Sequence, residues 1–141
     1  MGRQSPGWQE MKIAVDTNVL VRAAVRDDAG QADAASELMA RAEIVAIAVA
    51  CLCEFVWVLR RVYRFPSSDM AKAIRALLAS QNVETNRPAV DAGLAMLDAG
   101  GDFADGAIAY EGQWLGGETF VSFDKNAVEM LKGQGQAARV L

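Results

Sequence analysis

The chain has 141 residues, of which 52% are hydrophobic and 23% charged, and its net charge is -4. That describes one folded domain with a real core, and it excludes a disordered chain or one that coats nucleic acid through bulk charge. Histidine is absent, so histidine-based zinc sites, histidine general bases and serine–histidine triads are excluded together.

Met1 to Glu10 is polar, carries Gly, Pro and Trp8, and lacks the apolar core of a signal peptide. It reads as a flexible leader, 1–10, ahead of a single domain, 11–141, with Met11 as a candidate internal start. Trp8 receives no role. Ile13 to Val15 reads as a buried strand ending at Asp16, with Asn18 as the cap of the following helix, Val19 to Val25. Asp27, Asp28 and Gly30 mark a turn. Ala32, Ala35, Leu38, Met39 and Ala42 recur at helical spacing from Gln31 to Ala42.

Glu43 to Ala48 reads as a second strand. Val49 to Tyr63 is too long for a strand and is expected to be a helix, finishing in Arg60, Arg61 and Arg64. Ile44 to Leu59 is too short for a membrane span and is interrupted by Glu54. Cys51 and Cys53 are not a C-x-x-C motif and read as buried, reduced thiols, which suits a cytoplasmic protein. Pro66 and Ser67-Ser68-Asp69 introduce a helix from Ser68 to Ser80. Val83 to Thr85 is a weak third strand. Helices follow at Arg87–Ala99, stopped by Gly100-Gly101, and at Asp102–Leu115, closed by Gly116-Gly117. Phe120 to Phe123 is a fourth strand ending at Asp124, Asn126 to Lys132 a short helix, and Ala138 to Leu141 an edge strand. This alternation predicts an α/β fold, with a mostly parallel sheet of four to five strands covered on both faces.

Four stretches carry carboxylates at chemically useful places. Asp16 ends the first strand, and strand ends are where ligand sites gather in α/β sheets. Glu54 interrupts Ala50-Cys51-Leu52-Cys53-Glu54-Phe55-Val56-Trp57-Val58-Leu59. Burying it unpaired costs several kcal/mol, so it has a cation, a hydrogen-bond network or a path to solvent. An internal salt bridge to an arginine weighs equally with a functional role. Asp102 and Asp105 lie three apart at a helix start and share a face. Capping is the preferred reading for Asp102. Asp124 ends the fourth strand, with Ser122 projecting the same way; capping is its ordinary explanation too. A pocket of carboxylates without histidine suits a hard cation such as Mg²⁺ or Mn²⁺ and metal-assisted phosphodiester hydrolysis.

Asp16-Thr17-Asn18-Val19-Leu20, Glu54-Phe55-Val56-Trp57, Asp102-Phe103-Ala104-Asp105-Gly106-Ala107-Ile108-Ala109 and Val121-Ser122-Phe123-Asp124-Lys125 occur in the order and rough spacing of PIN-domain nucleases. The chain resembles the VapC-type toxins of bacterial toxin–antitoxin pairs from Met11 onward. The resemblance implies a three-layer α/β/α fold and a Mg²⁺- or Mn²⁺-dependent endoribonuclease acting on RNA. It further implies a type II toxin that forms a homodimer and is silenced by a cognate antitoxin. By resemblance, Asp16, Glu54, Asp105 and Asp124 are the acidic quartet. Asp16 and Asp105 match the direct metal ligands, and Glu54 and Asp124 bind metal or orient water. Asp102 matches a peripheral acid, while Thr17, Asn18 and Ser122 match polar positions near the metal. Tyr110-Glu111-Gly112 departs from the small-residue run that often follows the third acid.

Arg22, Arg26, Arg60, Arg61 and Arg64 are candidates for an RNA-phosphate rim, with solvated helix ends the favoured reading for any single one. Trp57, at helical spacing from Arg60 and Arg61, is expected in the core or a dimer seam, with Val58 and Leu59, rather than as a base-stacking platform. A phosphatase of the aspartate-nucleophile class wants a second acid where Asn18 stands. A receiver domain wants an acid pair at the first strand end, and Asp27-Asp28 lies too far beyond it. A catalytically silent PIN-like binding module is the remaining alternative.

Overall fold

A computed structural model describes residues 7–141, and Met1 to Pro6 of the expected leader lie outside it. Its elements run β1 (Lys12–Ala14), α1 (Thr17–Val25), α2 (Ala29–Arg41), β2 (Ile44–Ala46), α3 (Val49–Arg61), α4 (Ser67–Ala79), β3 (Val83–Glu84), α5 (Arg87–Asp98), α6 (Phe103–Trp114), β4 (Phe120–Ser122), α7 (Lys125–Gly133) and β5 (Ala138–Val140). The α/β class and the parallel strands are as expected. The ladders are two, β1-β2-β3 and β4-β5, each parallel. No helix among the described residues is long and apolar enough to cross a membrane.

The chain divides into two compact units, Met1–Arg64 with Lys72–Thr85, and Phe65–Ala71 with Asn86–Leu141. In the first, Ile13 registers with Val45 and Val45 with Val83. Helix α1 packs on α2 and α3. α3 shows why a near-continuous apolar run makes a two-faced helix. Val49, Leu52, Phe55, Val56 and Leu59 are buried, while Ala50, Glu54, Trp57 and Arg61 fall on the exposed face. A short 3₁₀ turn, Trp8–Glu10, precedes β1, and the Glu43 amide donates to the Trp8 carbonyl at 3.3 Å.

Two expectations are corrected here, and open alternatives are narrowed. β1 is not buried: Ala14 is exposed and Ile13 and Val15 are only half-buried, and among the described residues β1 pairs with β2 alone. For Glu54, of the alternatives left open, the path to solvent and a hydrogen bond are the ones present: it is exposed on α3 and accepts from Thr17. Trp57 is 60% exposed rather than in the core, though Leu59 is fully buried. Cys51 and Cys53, expected to be buried thiols, are thiols that are only half-buried.

In the second unit, Phe120, Val121 and Ser122 of β4 register with Ala138, Arg139 and Val140 of β5. Helix α7 packs on both strands. Met96, Ala109, Val128, Leu131 and Ala138 form a buried cluster, with Phe120 and Met130 against it. Helices α5 and α6 approach closely through glycine. A Cβ at Gly106 would stand 2.2 Å from the Ala92 carbonyl oxygen, and one at Gly93 would stand 2.5 Å from the Phe103 ring. Gly100 ends α5 with a φ of 87°, a left-handed conformation that glycine adopts without a Cβ penalty.

Candidate active site

In the first unit, Asp16 follows β1 and is itself the N-cap of α1. Its Oδ1 accepts from the Val19 amide at 3.2 Å. Asn18, expected as the cap, is instead inside the helix, because Asp16 holds the extended N-cap backbone and its carboxylate meets the orphan Val19 amide. Thr17 opens α1, and its hydroxyl donates to Glu54 Oε2 at 2.9 Å. Its oxygen also lies 3.7 Å from Cys51 Sγ. The carboxylate takes the proton, being the closer and charged acceptor. The Cys51 thiol faces the Val15 carbonyl at 3.7 Å. Burial pushes the Cys51 thiol up, the Thr17 hydroxyl opposes this, and the charges of Glu54 and then Asp16 push it further up. Cys51 therefore stays a neutral thiol and reports that both carboxylates bear on the same spot.

Sequence reasoning gave neither Cys51 nor Trp8 a part. Trp8, Asp16, Asn18, Val19, Arg22 and Leu38 line an open depression of about 400 Å³. Nothing in the local pattern around Trp8 signals this, since α2 supplies the facing wall. Among the candidate rim residues, Arg22 donates to Asp27 at 3.1 Å. Tyr63 also donates to Asp27, at 2.9 Å. The Tyr63 hydrogen bond holds the Asp27 carboxyl down, burial opposes it, and the Arg22 charge adds to the lowering. Arg26 pairs with Asp33 and also donates to Ser36. These two arginines thus brace the end of α1. Arg60 and Arg61 close α3, and Arg64 follows in a left-handed conformation with φ 59°.

In the second unit, Asp102 caps α6, with Oδ1 accepting from the Ala104 amide at 3.2 Å. Asp124 caps α7, accepting from the Ala127 amide at 3.1 Å. Ser122 Oγ accepts from the Asp124 amide at 3.0 Å and so fixes the strand exit. Asp105 sits in the first turn of α6, half-buried. Burial pushes its carboxyl above the ordinary value, and the negative charges of Asp102 and then Asp124 push it further. The expected caps at Asp102 and Asp124 are therefore present, and Asp105 is the acid under electrostatic stress.

Each unit thus gathers its own acids: Asp16 with Glu54 about Cys51, and Asp105 with Asp102 and Asp124. Among the described residues, no three His, Cys, Asp or Glu side chains stand together as a ready metal-binding group. The donors are oxygens with no imidazole, the chemistry a hard divalent cation takes.

The PIN domain family model matches residues 13–130. The chain belongs to the PIN domain family, whose fold is of the nuclease type. No curated protein matches the chain.

Proposed function

We propose that this protein is a metal-dependent endoribonuclease that hydrolyses RNA phosphodiester bonds, using Asp16, Glu54, Asp105 and Asp124. The observation that carries the reading is Asp105. Its carboxyl is half-buried, raised by desolvation and by two neighbouring carboxylates, and the described residues offer it no cation. The N-terminus of α6 offsets only part of this, and a bound Mg²⁺ or Mn²⁺ would relieve the rest. When bound, the ion activates water and stabilises charge on the phosphate. By resemblance to PIN-domain nucleases, Asp16 and Asp105 match direct metal ligands, and Glu54 and Asp124 match positions that ligate metal or orient water. Thr17 holds Glu54 by its hydrogen bond, and Ser122 holds the Asp124 backbone. Asn18 and Asp102 border the two sets. Arg22, Arg26, Arg60, Arg61 and Arg64 contribute positive charge toward RNA phosphates.

The order of the four motifs supports a toxin of a type II toxin–antitoxin pair, acting in the cytoplasm as a homodimer and held silent by its cognate antitoxin. The test is cleavage of structured RNAs by the purified protein with Mg²⁺, with Mn²⁺ and with chelator, beside Asp105→Asn. Metal-dependent cuts that the variant fails to make support the nuclease. Cutting by the variant at the wild-type rate removes Asp105 from the reaction. A binding module without catalysis is the second reading. It is favoured by the capping roles of Asp16, Asp102 and Asp124, which give those acids a use without metal. It prevails if neither cleavage nor metal binding is found.

A further inference from the structure

Helix α3 presents Glu54, Trp57 and Arg61 on its one exposed face, three and four residues apart. With about 1.5 Å of rise per residue, Trp57 lies about 5 Å and Arg61 about 10 Å along the helix from Glu54. Trp57 is 60% exposed, although an indole is the largest apolar side chain the helix carries. The neighbouring positions Phe55, Val56 and Leu59 already supply the buried face. Packing within the fold therefore does not account for the indole.

We propose that Trp57 is a base-stacking platform and Arg61 a phosphate contact for the single-stranded RNA nucleotide next to the bond that is cut. The inference rests on the nuclease reading and deepens it by assigning a subsite on the Glu54 helix. Three observations select RNA as the occupant. The face is continuous with Glu54. Its exposed aromatic plane suits any nucleobase, and stacking on it does not require base-edge readout. The cation one turn further on complements a phosphate, while Glu54 stands at the metal end. A seam between two copies fits less well, because charges stand on both sides of Trp57 along the face and interface cores are depleted of them.

The experiment uses the full chain and a pool of random-sequence 2′-O-methyl RNA octamers carrying fluorescein. Binding is read by anisotropy and tryptophan quenching, and cleavage by kcat and KM on unmodified RNA. Trp57→Ala weakens octamer binding by about 5- to 150-fold, the range seen when a base-stacking aromatic is removed. The cleavage defect falls on KM, and Trp57→Phe recovers most of the affinity. Arg61→Gln lowers the slope of log affinity against log salt by about 0.7, the value for one single-strand phosphate contact. The proposal is overturned if Trp57→Ala binds octamers like wild type while wild type still cleaves RNA. It is overturned equally if the variant's only change is from dimer to monomer by sedimentation, which would make Trp57 a seam residue. If wild type neither binds nor cuts RNA with either metal, the nuclease reading falls with it.

Discussion

Gly106→Ala and Gly112→Ala place the same methyl group on the same helix and are expected to act in opposite directions. At Gly106 the new Cβ stands 2.2 Å from the Ala92 carbonyl oxygen and 2.8 Å from Met96 Cγ, while at Gly112 it meets nothing within 4 Å. The Ala92 contact is with backbone, so no side chain can swing aside. Helices α5 and α6 must separate by about 1 Å, which also loosens the fully buried Phe103 against Gly93. Overpacking of this kind costs about 2 to 3 kcal/mol, and the better helix propensity of alanine returns about 1. The net is a loss of about 1 to 2 kcal/mol for Gly106→Ala, or a melting temperature lower by about 2 to 8 °C. Gly112→Ala keeps only the propensity gain and rises by about 2 to 4 °C. Thermal melts followed by circular dichroism, with urea midpoints beside them, read both. Two shifts of the same sign, or a Gly106→Ala protein as stable as wild type, would refute the close approach of α5 and α6.

Asp16→Asn keeps the cap of α1 while removing the charge, so it is expected to be folded and inactive. Asp16→Ala loses about 1 kcal/mol more in urea melts, the usual cost of a lost cap; equal stability would mean the Val19 hydrogen bond contributes nothing. Because the Asp105 carboxyl is raised in the folded protein, its ionised form opposes folding. That penalty is absent below about pH 4 and complete once the pH exceeds the raised value. Asp105→Asn is therefore expected to melt higher than wild type at pH 7 and to match it at pH 3, and a variant less stable at pH 7 would contradict this. Asp27 has the opposite sign: its lowered carboxyl stabilises the fold above about pH 4, and the effect fades as pH falls through the lowered value. Tyr63→Phe should thus differ from wild type in urea at pH 6 and converge with it at pH 2; a difference unchanged with pH would place the effect in packing.

The helix starts were legible in the sequence because a cap is a local event. Asp102 and Asp124 each bond an amide two or three residues ahead, and the chain alone announces it. Asp16 was legible as a strand end but not as the cap, since Asn18 competes in the pattern and only the backbone angles decide. Glu54 illustrates what was hidden. Its partner Thr17 lies 37 residues away, so no window around Glu54 contains it. Of the two places expected for Trp57, the core and a dimer seam, its exposure excludes the core. Its position three beyond Glu54 and four before Arg61 already placed it on the polar face, and apolar bulk outweighed that spacing. The exposure of β1 depends on which strands flank it, which a run of apolar residues does not encode.

Asp16, Asp102 and Asp124 each engage a helix amide through Oδ1, a contact that asparagine makes as well. At each of these positions a single base change converts the aspartate codon to asparagine. Folding would register almost nothing, while at Asp16 and Asp124 the charge the proposed metal chemistry needs would be gone. If the proposed activity holds, mutation has a short path from it to an intact scaffold, and selection on stability places no obstacle along it. A lineage under pressure to disarm this protein would lose the charge and keep the shape, leaving surfaces that bind still in circulation.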